Sequence, residues 1–227
     1  MCQCSSLAVL ILMQILIIGV VQEQPKGSGK PYDRGPMRIE QKSLTEGLAD
    51  VLRAARKPGG IARIHKRGSV ERKLTTLVND PVRIAAALDT LISTEPEYKW
   101  VLENGVVNIL PKKELPSLLS VQVRIFEAKN TASMHDLVAK LLASPEVKKA
   151  QVEFHLEANP LRFGFDRLNH PSTESTEEKR TLDVQCRNCT VREVLNRIVR
   201  AHGFAVWAYD EYELQETKRF QIGIVSQ

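Results

Sequence analysis

The sequence has no P-loop, no G-x-G-x-x-G, no G-x-S-x-G and no H-E-x-x-H, so the commonest nucleotide, hydrolase and zinc-protease chemistries have no motif to act through. Cysteine is scarce, and four residues exclude a disulfide-dense scaffold. The five histidines, at positions 65, 135, 155, 170 and 202, include no i, i+4 pair that would begin a metal cage. Aromatic residues make up only 5% of the 227 residues. Charge of one sign is also lacking: 32 Lys+Arg against 27 Asp+Glu leave a net +5, too mild and too scattered to name a nucleic-acid partner. No catalytic residue, cofactor, metal or nucleic acid is therefore expected. What is present, 43% hydrophobic and 26% charged residues, is the mix of a soluble globular chain of one or two small domains.

Only one long apolar run occurs. Leu7 to Val21 (LAVLILMQILIIGVV) is uncharged and interrupted only by Gln14. Its length is that of a signal-peptide core and falls short of a bilayer span. Residues 1–21 therefore read as a signal peptide. The preceding MCQCSS has no Lys or Arg and no A-x-A triplet follows, which keeps an uncleaved signal anchor open, with membrane attachment through residues 7–21. Either way the expected location is extracytoplasmic: periplasmic, secreted or anchored.

Residues 22–41 (QEQPKGSGKPYDRGPMRIEQ) combine Pro, Gly and charge without apolar periodicity and read as a flexible linker. Ser43 or Thr45 then caps a helix with the apolar face Leu44, Leu48, Val51, Leu52 and Ala55, which Lys57-Pro58-Gly59-Gly60 stops. Strands are predicted over 61–65 and 73–78. Pro160 to Arg180 lacks periodicity and reads as part of an insertion loop, 159–180.

An internal repeat is the most informative pattern. LTTLVNDPVRIAAALDTLISTEPEYKWVL lies on LDVQCRNCTVREVLNRIVRAHGFAVWAY so that Leu88, Leu91, Ile92 and Trp100 fall on Leu195, Ile198, Val199 and Trp207. Between the two, VQVRIFEAKNTASMHDLVAKLLASPEV reads as a third, weaker copy: Asn130 matches Asn188, the helix face Val138, Leu141 and Leu142 is offset by one, no tryptophan follows, and Ser144-Pro145-Glu146 starts another helical turn instead. Glu103-Asn104-Gly105-Val106 is a two-residue hairpin signal, and Phe220, Ile222 and Ile224 alternate as in a closing strand. The expected fold class is α+β, with repeated small βαβ(β) units whose helices pack on small sheets. The expected units are 42–116 with the preceding helix, 117–158, and 181–227.

Leu182-x-Val184-x-Cys186-x-Asn188, Thr190-Val191-Arg192-Glu193-Val194-Leu195 and Gly203-Phe204-Ala205-Val206-Trp207 carry a resemblance to a known family. So do Ala87-Leu88-Asp89-x-Leu91-Ile92, Tyr98-x-Trp100 and Asn104-Gly105-Val106-Val107-Asn108-Ile109 in the first copy. The pattern resembles the short N-terminal (STN) domains of secretins and TonB-dependent transducers, and similar modules in bacterial envelope proteins. The resemblance implies a small α+β interaction fold outside the cytoplasm, without catalytic residues.

Two groups are candidate sites. Cys186 and Cys189 bracket a strand-to-helix passage, where a helix N-terminus can lower a thiol pKa. They are read as structural cysteines, bonded to each other or free, because Leu182, Val184 and Cys186 share one strand face. The rival reading is a thiol-disulfide oxidoreductase with Cys186 as nucleophile. The stretch 53–73 collects nine Lys, Arg and His against Glu71, with no interleaved aromatics for base stacking. Within it Arg53, Arg56, Lys57, Arg63, Lys66 and Arg67 are candidates for binding an anionic envelope surface. The tryptophans are read as core. The function expected is a non-enzymatic interaction module that binds a protein or an envelope polymer through a sheet edge or through this basic face.

Overall fold

A computed structural model describes residues 35–65, 72–79, 83–159 and 181–225. The apolar run 7–21, most of the linker, Lys66, Arg67 and residues 160–180 of the insertion lie outside the described residues. The first half of the fold runs β1 (Met37–Lys42), α1 (Leu44–Ala55), β2 (Gly59–His65), β3 (Leu74–Val78), α2 (Ile84–Ser93), β4 (Tyr98–Glu103) and β5 (Val106–Pro111). After a 3-10 turn at Ser117–Ser120, the second half runs β6 (Gln122–Thr131), α3 (Met134–Leu142), α4 (Pro145–Glu153), β7 (Leu156–Ala158), β8 (Leu182–Thr190), α5 (Val191–His202), β9 (Val206–Leu214) and β10 (Thr217–Val225). The fold is α+β. The same order of elements occurs twice, with α4 as an addition to the second half.

Local chemistry accounts for the helix ends. Ser43 caps α1 and Thr190 caps α5, each in a capping box with the glutamate three residues on, Glu46 and Glu193. Gly203, at φ 101°, follows α5 in a conformation that favours glycine. Between β4 and β5, Asn104 (φ 50°) and Gly105 (φ 80°) make the two-residue turn that matches strand twist.

Two expectations are corrected. The linker ends earlier than position 41, because Met37–Lys42 is strand β1, antiparallel to β3, with Ile39 fully buried opposite Thr76. Only Met37 and Ile39 alternate there, too short a pattern to stand out beside Pro36 and Gly35. The middle segment is also not a copy of strand-helix-strand-strand. It is strand, two helices, the second starting at Pro145 as the sequence indicates, and a short strand; it is the counterpart of β1-α1-β2, and its β6 pairs antiparallel with β8 as β1 pairs with β3. The matched Asn130 and Asn188 do share a left-handed backbone, φ 51° and 50°.

A six-stranded sheet joins the halves in the order β4-β5-β2-β9-β10-β7. The join is parallel pairing of β2 with β9 over seven residue pairs, Gly59 opposite Val206 to His65 opposite Tyr212. Side chains alternate across the sheet, so its two faces feed separate cores. Ile61, Val107, Ile109, Val206 and Ala208 pack with α1, α2, β1 and β3. Ala62, Val106, Leu110, Trp207 and Tyr209 pack on the other side with α3, α4, α5, β6 and β8. Each half thus holds its helices between a two-stranded pair and opposite faces of the shared sheet.

The second hairpin departs from turn chemistry. Gln215 (φ 50°) and Glu216 (φ 67°) occupy the left-handed positions filled by Asn104 and Gly105 in the first. A left-handed residue other than glycine costs about 1–2 kcal/mol. The double replacement Gln215→Asn with Glu216→Gly is therefore expected to stabilise the protein by about 1 kcal/mol. A thermal midpoint that stays or falls would show that side chains at the turn contribute more than the backbone does.

Candidate functional site

The site begins with a strand that has only one neighbour. β4 closes one side of the six-stranded sheet, and among the described residues only β5 pairs with it. Its ladder is regular, with Tyr98 opposite Pro111 through Glu103 opposite Val106 and no bulge. A two-residue turn makes Glu103 and Val106 a hydrogen-bonded pair, and alternation gives Val101 with Asn108 and Lys99 with Leu110 as the next. The Lys112 N–H donating to the Glu97 carbonyl at 2.8 Å continues that phase. The main-chain groups of Trp100 and Leu102 therefore face the edge away from β5, with the Tyr98 carbonyl, while the Tyr98 N–H is already given to the Glu95 carbonyl at 3.0 Å. Leu102 is 63% exposed.

Trp100 is held from the helix side. Its indole Nε1–H donates to Asp89 Oδ1 of α2 at 2.7 Å. In the second half, Trp207 Nε1–H donates to Asn196 Oδ1 of α5, also at 2.7 Å. The tryptophan match thus extends to its hydrogen bond. Both rings lie on the first strand after a helix; Trp207 is fully buried, whereas Trp100 keeps part of its surface.

A polar cluster lies at the far end of the β2/β9 join. Register places Arg63 opposite Asp210, and Gln221 of β10 opposite Asp210 on the other side. The Arg63 guanidinium grips the carboxylate with both ends, Nε to Oδ1 at 2.5 Å and Nη2 to Oδ2 at 3.0 Å. His65 Nε2 lies 3.1 Å from Oδ1, and Gln221 donates to Oδ2 at 2.9 Å. Burial alone would raise the Asp210 pKa; the hydrogen bonds from His65 and Arg63, the Arg63 charge and the Gln221 bond outweigh it and hold the carboxyl well below its ordinary value. Tyr98 borders the cluster. Burial, with Glu97, Glu95 and Asp210 close by and Arg63 opposing, pushes its phenol up to about 12. Asp210 is thus a bonded counter-ion and Tyr98 a neutral hydroxyl, and neither is poised as a base.

The six basic candidates do not form one face. Arg53 is exposed but bonded to Asp50 at 3.0 Å, and Arg56 and Lys57 are exposed beyond the end of α1. Arg63 is buried, 7% exposed, and committed to Asp210. The alternation of β2 turns it to the core face of Ile61, which charge counting does not register. Lys66 and Arg67 lie outside the described residues.

Cys186 and Cys189 form a disulfide with a Cα–Cα distance of 6.0 Å, both buried among Leu182, Val184, Val194 and Leu195. Three residues apart on a regular strand they would face opposite ways; the left-handed Asn188 between them brings Cys189 to the side of Cys186. Among the described residues no group of three His, Cys, Asp or Glu side chains is placed to hold a metal ion, and no helix is long and apolar enough to cross a membrane.

Sequence reasoning named sheet edges in general but did not single out β4, because which strand lies outermost is a property of pairing. It did not find Asp210 either. The only local signal was an acid within the apolar alternation of Trp207 to Tyr212. Comparison with family models, curated proteins and solved structures finds no match to this chain.

Proposed function

We propose that the chain is an extracytoplasmic, non-enzymatic interaction module that binds a partner protein by adding a strand of that partner to β4. The observation that carries this reading is the regular edge of β4, unpaired among the described residues, with the main-chain groups of Trp100 and Leu102 turned outward and Leu102 exposed. Soluble proteins usually blunt such an edge with a bulge, a proline or a very short strand. β4 has no bulge and no proline and is six residues long, with the exposed Lys99 its one edge lysine. The opposite edge, β7, is three residues long and is followed at position 160 by proline. Strand addition draws affinity from main-chain hydrogen bonds and needs no catalytic side chain.

The apolar run 7–21 and the bonded Cys186–Cys189 pair support a place outside the cytoplasm, where disulfides persist. The small α+β halves support the likeness to STN domains. The basic candidates enter as a control, because Arg56 and Lys57 are exposed while Arg63 belongs to the core.

Leu102→Pro tests the reading. Proline there removes an N–H that faces outward and leaves the bonds of Glu103, Val101 and Lys99 to β5 in place. Pull-down from an envelope fraction is expected to lose its partner with Leu102→Pro and to keep it with Arg56→Glu combined with Lys57→Glu. Full retention of the partner by a folded Leu102→Pro variant would reject the edge, and loss with the charge reversals alone would move the site to the end of α1.

A further inference from the structure

The fold contains its own example of what the β4 edge accepts. β4 and β9 are counterparts in the two halves. Each follows a helix, each carries a tryptophan bonded at 2.7 Å to a residue of that helix, and each tryptophan faces an isoleucine across its hairpin, Ile109 or Ile224. The edge of β9 away from its hairpin partner is taken by β2 in parallel, whereas the corresponding edge of β4 is unpaired among the described residues.

The register at the occupied edge is restrictive. Gly60 lies opposite Trp207, and a Cβ added to Gly60 would come within 1.9 Å of indole Cε2, 2.2 Å of Nε1 and 2.4 Å of Cζ2. The ring cannot swing away, since its Nε1–H is tied to Asn196 within a filled core. The next residues, Ile61 and Ala62, stand opposite Ala208 and Tyr209, and both are fully buried. The indole of Trp100 is tied to its helix in the same way, so a strand laid along β4 meets the same ring at the same place.

We infer that the partner segment taken by β4 runs parallel to it and has glycine opposite Trp100, followed by a branched apolar residue beside Val101 and a small residue beside Leu102. The partner is thus an extended polypeptide of the pattern Gly-apolar-small, like Gly60-Ile61-Ala62 of β2. The inference rests on β4 being the docking edge and adds orientation and register to it. Selectivity arises because any side chain opposite the indole must displace a ring held by its hydrogen bond to Asp89.

The test uses the full chain and a synthetic peptide with the sequence of residues 58–65, added in trans at millimolar concentration, with the amide resonances of the protein as readout. The expected result is a shift of the Trp100 and Leu102 amides, with binding at least about tenfold weaker for a peptide carrying Gly60→Val. A spin label on the peptide N-terminus should broaden Lys99 before Glu103, as parallel pairing requires. Equal binding of both peptides, broadening of Glu103 first, shifts confined to the amides of β9, or no shift at all would each overturn the inference. The Leu102→Pro pull-down is independent of this outcome, so a docking edge with a different register would be recognised as such.

Discussion

Asp210→Asn is expected to destabilise the folded protein by about 3–5 kcal/mol at neutral pH, since it leaves the buried Arg63 guanidinium without its counter-charge. Asp210 is 1% exposed and Arg63 7%, so water cannot take over the lost bonds, and since asparagine keeps one oxygen, either His65 at Oδ1 or Gln221 at Oδ2 loses its acceptor as well. The double variant Arg63→Met with Asp210→Leu removes both charges together and should recover most of the loss. Urea unfolding of the wild type and the two variants measures this. A cost below about 1 kcal/mol for Asp210→Asn would place the pair among solvent-screened ion pairs, contrary to its burial. The pH dependence has a definite sign. The Asp210 pKa is lowered in the folded state from 3.8, so its contribution is fully present above that value and is lost as the pH falls below it toward the lowered one. Acid unfolding of the wild type should accordingly be steeper than that of the double variant.

This cluster also shows where reading the sequence stops. Arg63 looks like one more charge in a basic stretch until the register of β2 turns it inward, and its acid lies 147 residues away. Strand pairing over such separations leaves no local trace, and the same holds for the outermost position of β4. What is encoded within a few residues was legible. The helix cap at Ser43 or Thr45, the Asn104-Gly105 turn and the inward row Leu182, Val184, Cys186 were readable because each depends on neighbours within about one turn or one hairpin. The repeat was partly readable. Trp100 and Trp207 could be matched because the spacing from helix to strand is local, but the pairing of the middle segment with the amino-terminal strand-helix-strand could not. Those two segments share an order of elements with little common side-chain pattern, and α4 breaks their spacing. β1 was missed for a related reason, since its fixed point, Ile39 against Thr76, lies in pairing with β3 rather than in its own composition.

Trp207→Ala is expected to cost about 3–5 kcal/mol by opening a cavity in the larger core, and Gly60→Val about 1–3 kcal/mol or more by forcing a side chain into the ring. The backbone is no obstacle at Gly60, which lies within a strand at a conformation any residue adopts, so the second cost is steric alone. Combined, the two changes should destabilise by less than their sum, by at least about 1 kcal/mol, because the valine methyls enter the volume that Cε2 and Cζ2 vacate. Loss of the bond to Asn196 is common to Trp207→Ala and the double variant and cancels in the cycle. A double-mutant cycle by chemical unfolding therefore isolates the contact. Additive losses would mean that the ring and the glycine are not in the close register that joins the two halves, and would remove the template from which the β4 partner is inferred.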